Sequence, residues 1–284
     1  MKPLNVTTVV PPWNVHALAL KEAADYLHEV IKQCGFRSIR SINTLSDECH
    51  NIICCAHLLS ADQIKKIPPD SIIFNSEPLD DPEERRHFSD AYAAVLQSHY
   101  IWDYSSLNLP RIGHDRTSVI PFLGCAALRR TDVVRTEGSA ILFYGRLTPR
   151  REHLLNQLRG CGVPLRVMVG KYAEERDAAM FGCRAVLNLH KTDVGHAFES
   201  IRCFYPLING VPVISEITTD PASAAFADSV FFFDQASLAL KIRALYDDPE
   251  HFRARSRSMC AAFQRKDPVP AMTAAIEEYR RRLR

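Results

Sequence analysis

The sequence predicts an α/β protein of two successive units, each built on a parallel, doubly wound sheet, with helices closing the chain. Short β-branched and apolar segments alternate with segments of helical periodicity from the first residues onward. That alternation restarts at Gly138, where a second apolar strand follows a glycine and a serine. A length of 284 residues suits two units of ordinary size. The units are read as residues 1–134 and 135–284, joined near 129–138 without a low-complexity linker.

In the first unit, residues 5–10 form a strand that the run Pro11-Pro12-Trp13-Asn14 breaks. Residues 15–34 carry Leu18, Ala23, Leu27, Val30 and Ile31 at helical spacing, and Gly35 stands where a C-terminal cap belongs. Strands are expected at 38–42, 51–57 and 71–75, a helix at 83–97, and further strands at 100–104 and 118–123. In the second unit the strands are 140–144, 165–169, 185–189, 211–215 and 230–233. Helices fall at 150–159, 174–181 and 198–208, and everything after residue 233 reads as helix. Each unit is therefore Rossmann-like.

Composition narrows the class. The chain is 46% hydrophobic and 24% charged, which excludes a disordered protein. Its longest apolar runs, such as Val230-Phe231-Phe232-Phe233, are too short to span a bilayer. The first residues lead into a strand and carry no secretory h-region, so a cytoplasmic location is expected. Nine cysteines without C-x-x-C or zinc-finger spacing read as buried thiols in a reducing compartment, the alternative being a metal or redox role. The net charge is only +2, and Arg280-Arg281-Arg282 reads as a solvated helix end or, as the lesser alternative, a contact for nucleic acid or acidic lipid.

Ligands of open α/β sheets bind beyond the carboxyl ends of the strands. That rule selects 11–16, 75–78, 103–106, 145–151, 170–172, 190–199 and 215–216. The most informative is 143–151, where a strand ends in Gly145 and Pro149 opens a helix. Arg146, Arg150 and Arg151 can grip a diphosphate there, or form a plain solvated basic loop. Glu199 and Arg202 share a helix face as a simple ion pair, or both contact a ligand. His190 is a ligand contact or a satisfied strand-end histidine. His16 is a general base or a structural or surface residue. Glu77 and Asp103 contact a ligand or serve as turn and cap residues. No P-loop and no G-x-G-x-x-G after the first strand occurs, which argues against ATPase and NAD chemistry, and there is no G-x-S-x-G elbow.

Gly145-Arg146-Leu147 followed by Arg151 resembles the G-R-L-x-x-x-K segment of retaining GT-B glycosyltransferases, in which the arginine and the basic residue hold nucleotide phosphates. The stretch from Val186 through Glu199 to Gly210-Val211-Pro212-Val213-Ile214 is similar to the region near the sugar-nucleotide site of those enzymes. Five further fragments resemble a group of bacterial and phage glycosyltransferase-like proteins. They are Ile73-Phe74-Asn75-Ser76-Glu77, Trp102-Asp103-Tyr104-Ser105, Tyr144 to Arg151, Leu187 to His190, and Phe198 to Arg202. The sequence departs from the retaining pattern beyond the lysine that Arg151 replaces: Glu199 lies eleven residues before Gly210, not thirteen. Its E-x7-E is broken, because Tyr205 stands five residues before Gly210, where the second glutamate belongs.

The resemblance implies a GT-B architecture, two Rossmann-like domains facing a cleft. The second domain would hold a nucleotide-diphosphate sugar through Gly145, Arg146, Arg150, Arg151, Tyr172, His190, Glu199 and Arg202. The first would present His16, Glu77 and Asp103 to an acceptor, whether glycan, protein, small molecule or nucleic acid. No metal ligand set and no cofactor beyond the donor sugar nucleotide is expected. The implied reaction is metal-independent sugar transfer; the alternatives are a non-catalytic binding or scaffold protein of the same fold and, more remotely, a nucleotide-sugar epimerase.

Overall fold

The computed structural model describes residues 2–194 and 197–284. Residues 195 and 196, within the strand-end segment 190–199, lie outside the described residues.

The first unit contains β1 (Leu4–Thr8), α1 (Lys21–Gln33), β2 (Ser38–Ile42), β3 (His50–Cys54), α2 (Ala61–Ile64) and β4 (Ile72–Asn75). It continues with α3 (Pro82–Arg85), α4 (Asp90–Ser98), β5 (Tyr100–Asp103), α5 (Leu109–Ile112) and β6 (Thr117–Val119). The second contains β7 (Ile141–Tyr144), α6 (Pro149–Gly160), β8 (Leu165–Met168), α7 (Ala173–Phe181), β9 (Ala185–Asn188), α8 (Ser200–Ile208), β10 (Val213–Glu216) and β11 (Val230–Phe233). Helices α9 (Leu238–Ala244), α10 (Pro249–Gln264) and α11 (Val269–Arg282) complete it.

Six strands form one sheet in the order β2-β1-β3-β4-β5-β6, and five form the other in the order β11-β10-β9-β7-β8. Every neighbouring pair is parallel. Parallel strands covered on both faces need continuous apolar runs, and β4 is buried along its whole length, as are β5 and β9. In each sheet the strand order reverses once, between β1 and β3 and between β7 and β9. Such switch points open crevices at the carboxyl ends of the strands.

Two expected helices are divided. Residues 15–20 form a 3-10 turn ahead of α1, because the Asn14 side chain accepts the His16 N–H at 3.0 Å and sets a separate start. The helix read over 83–97 is two, since Ser89 caps α4 by accepting the Tyr92 N–H at 3.1 Å. All nine cysteines are free, and only Cys34 and Cys161 are less than fully buried. Among the described residues no helix is long and apolar enough to cross a membrane.

The two units share one hydrophobic core. Tyr26 of α1, Phe122 beyond β6 and Phe204 of α8 pack ring on ring, with centroids 4.7, 5.2 and 5.0 Å apart. The Tyr26 hydroxyl donates to the Pro121 carbonyl and accepts the Leu123 N–H, both at 2.9 Å. The chain finally returns to the first unit, where α11 packs on α1 and β6. Tyr279 of α11 donates its hydroxyl to the Asp70 carbonyl and lies edge-on to Tyr100 with centroids 5.4 Å apart.

Because Phe204 is fully buried at the seam, Phe204→Ala should cost about 3–5 kcal/mol of stability. Urea denaturation followed by circular dichroism should show that loss, with both units still unfolding together.

Candidate functional site

A cavity of about 570 Å³ lies between the units. Its wall from the second unit is built at the β7/β9 switch point, where β7 ends in Tyr144 and Gly145. Gly145 has φ +138°, a region side chains avoid, and a Cβ there would come within 3.1 Å of the Arg202 guanidinium. The glycine thus lets Arg202 lie against the backbone. Arg202 donates from Nη1 to Asn188 Oδ1 at 3.2 Å, and its carbonyl accepts the Tyr144 hydroxyl at 3.2 Å. Glu199 and Ile201 from the start of α8, and Val169 to Tyr172 after β8, complete this wall. The 3-10 turn, Glu22 of α1 and Ser76 supply the wall from the first unit.

Six of the residues selected from the sequence meet here: His16, Gly145, Arg146, Tyr172, Glu199 and Arg202. His16 Nδ1 and the Tyr172 hydroxyl are hydrogen-bonded across the opening, ring edge to ring face at 5.9 Å, so opposite units touch over the cavity. Among the described residues Glu199 and Arg202 make no ion pair with each other. Both instead face the cavity.

The other five lie outside the cavity lining. Arg150 forks onto Glu216, with Nη1 and Nη2 at 2.9 and 2.6 Å, and donates from Nε to Asp193 at 2.5 Å. Arg151 is buried and donates to carbonyl oxygens, to Leu189 from Nε at 3.2 Å and Nη2 at 2.8 Å, and to Arg146 from Nη1 at 2.9 Å. Burial first, then the charge of Arg202, pulls its guanidinium down to about 9, which leaves it charged at neutral pH. It therefore places a positive charge under the 145–148 loop. The His190 N–H donates to Glu216 at 2.7 Å, and its Nε2 lies 2.9 Å from the Ile217 carbonyl.

In the first unit, Glu77 stands 3.5 Å from His57 Nδ1 and accepts the Ser76 hydroxyl at 3.1 Å. Asp103 is fully buried at the end of β5 and accepts from Asn75, Ser105 N–H and Asn108 at 2.7, 2.8 and 2.9 Å. It shapes the strand-end loops from behind.

Sequence reasoning missed the polar seam beneath the cavity. Arg176 of α7 donates to Glu22 of α1 at 2.7 Å and to Asp177 at 2.6 Å, and its guanidinium lies 4.9 Å over the Tyr205 ring. Burial, the largest single influence, opposes the charge on Arg176, but the Glu22 hydrogen bond together with the charges of Glu22 and Asp177 outweighs it and holds its pKa above the ordinary value. Tyr205, at the place of the family's second glutamate, donates its hydroxyl to Asp177 at 3.0 Å. Only the acid-rich start of α7 hinted at this network; its partner across the cleft is 154 residues away in sequence. Among the described residues no group of three or more His, Cys, Asp or Glu side chains gathers as a metal site.

The paired Rossmann-like sheets facing a cleft, with helices returning from the end of the chain, define the GT-B glycosyltransferase fold. Solved structures agree over nearly the whole chain. AviGT4, a glycosyltransferase of avilamycin A biosynthesis, superposes with a TM-score of 0.59 at 15% identity, covering 98% of each chain. HepE of Anabaena, solved with UDP-glucose, gives 0.59 at 12% identity over 96% of this chain and 98% of its own. The T4 phage enzyme BGT, in complex with UDP and Mn2+, gives 0.58 at 9% identity over 98% of this chain and 99% of its own.

No protein-family profile matches the chain. Two uncharacterised proteins of Acanthamoeba polyphaga mimivirus are similar in sequence. One is 27% identical over 187 residues, covering 64% of this chain and 60% of the relative. The other is 23% identical over 215 residues, covering 71% and 29%. The matched region spans less than two thirds of either relative's length. Both relatives are viral, whereas the motif fragments resemble bacterial and phage proteins, and nothing in these matches supports a bacterial origin.

One titration follows from Asp103. Burial pushes its carboxyl from 3.8 up to about 7, against the pull of hydrogen bonds from Asn75, Ser105 and Asn108. Between those values the native state holds a proton that the unfolded chain has lost, so stability falls as pH rises from about 4 to about 7. Asp103→Asn should flatten the decline of Tm across that window; an unchanged slope would assign the decline to other groups.

Proposed function

We propose that the protein transfers a sugar from a nucleoside-diphosphate sugar, bound in the interdomain cavity, to an acceptor held by the first unit. One observation carries this reading. The cavity at the second switch point presents Arg146 and Arg202 beside the carboxylate of Glu199, with Lys171, paired to Glu175, and the closed Arg176–Glu22 pair completing its charged lining. A volume of about 570 Å³ lies within the range of small-molecule sites.

Transfer breaks the bond between the anomeric carbon and the diphosphate oxygen, and negative charge develops on the leaving group. Arg146 and Arg202 answer that charge directly, and Arg151 adds to the field from beneath the loop. Glu199 takes hydroxyls of the ribose or the transferred sugar. His16, on the opposite wall, is placed to receive the proton that the acceptor hydroxyl loses as it attacks. Its contact with Tyr172 must part to admit the donor and re-form to shed water. Because arginines already answer the phosphate charge, we infer that no divalent metal is needed.

Arg146 is exposed and its loss leaves the core intact. Arg146→Ala is expected to weaken binding of UDP and GDP at least tenfold by calorimetry with an unchanged Tm; wild-type affinity in the variant would falsify the placement of the diphosphate.

A second reading, a binding protein without catalysis, is favoured by Tyr205, which occupies the second glutamate's place and is tied to Asp177. Release of free sugar from nucleotide sugars without acceptor separates the two. Slow release is expected at the same rate with and without EDTA; no release from any donor favours the binding protein, and loss in EDTA overturns the metal-free mechanism.

A further inference from the structure

The first sheet has a switch point of its own, between β1 and β3, and a second cavity of about 740 Å³ opens there. Its walls are the segment after β1, from Val9 to Trp13, and the segment after β3, from His57 to Ser60. Two features set it apart from the interdomain cavity. Trp13 is 74% exposed on its rim, the largest apolar side chain left to solvent, on a backbone stiffened by Pro11 and Pro12. Among the described residues Lys66 is the one lysine or arginine in the lining, while Asn43, Ser60, Gln63, Ser89, His57 and His87 supply polar edges.

An indole face beside scattered hydrogen-bonding groups suits a ring that is apolar on its face and hydroxylated at its edge. The C–H bonds of a pyranose face carry slight positive charge and pack against the negative face of an aromatic ring, while its hydroxyls need donors and acceptors around the rim. A nucleic acid or other phosphate-bearing partner calls for several cations, and this cavity offers a single lysine. We propose that the β1/β3 cavity is a binding site for a neutral hexopyranose, stacked on Trp13.

A polar link joins this site to the interdomain cavity. Ser76 lines the interdomain cavity and donates to Glu77 at 3.1 Å, Glu77 stands 3.5 Å from His57 Nδ1, and His57 lines the second cavity. One carboxylate therefore contacts a side chain of each. Resting on the transferase reading, the inference makes the acceptor a neutral glycan whose ring docks on Trp13.

The chain has two tryptophans, and Trp102 is fully buried, so iodide quenching of fluorescence reports on Trp13 alone. Methyl α- and β-glycosides of glucose, galactose and mannose, with their disaccharides, should be titrated to 100 mM with and without saturating UDP. At least one is expected to lower the quenching constant about twofold, saturably and whether or not UDP is present. Trp13→Leu should weaken that same saccharide at least tenfold by calorimetry and leave UDP affinity unchanged. No protection by any sugar, protection abolished by UDP, or undiminished affinity in Trp13→Leu would each overturn the site. Failure of UDP itself to bind would instead count against the donor cavity and leave this measurement readable.

Discussion

The arrangement of the two units depends on Arg176. A guanidinium about 5% exposed is costly unless its charge is answered in place. It is answered from both sides: Asp177 belongs to its own helix, and Glu22 comes from α1 of the other unit. Removing Glu22 would leave a buried charge half-compensated, a loss of about 3–5 kcal/mol by analogy with other buried pairs. The aromatic cluster of Tyr26, Phe122 and Phe204 supplies non-directional cohesion beside it. The ion pair supplies direction, because a hydrogen-bonded guanidinium tolerates little rotation of one unit against the other. Both switch points therefore keep a set relation to one another.

The fold was largely legible because its signals are local. Strands Ser38–Ile42 and Val230–Phe233 fall where the sequence puts them, the first on two isoleucines among polar residues and the second on an apolar run. Gly35, with φ +81°, ends α1 as its position after the last periodic residue required. Divided helices were harder to see: the caps at Asn14 and Ser89 are single polar side chains inside otherwise helical patterns.

The site was legible only in part, for a reason visible in the three arginines of 145–151. Their positions after a strand marked the loop correctly. Where each side chain turns depended on residues far away in sequence. Glu216 captures Arg150, and the Leu189 and Arg146 carbonyls hold Arg151. Arg146 has neither competitor and lines the cavity. His190 and Asp103 went the same way, since strand-end polar groups that find buried partners become part of the scaffold. The pairing of Arg176 with Glu22 lay beyond reach, because the acid-rich start of α7 marks a charged helix end but does not announce a partner 154 residues away.

The return of α11 has a bearing on how the protein is made. Its Tyr279 covers Tyr100 and reaches the Asp70 carbonyl, both in the first unit. During synthesis the first sheet leaves the ribosome with that flank uncovered, and the cover is not translated until residues 269–282. At about 5–20 residues per second, some 150 residues of second unit separate the two events by roughly eight to thirty seconds. For that interval the amino-terminal unit lacks the helix that covers this flank, which stays open to chaperones or to a neighbouring nascent chain.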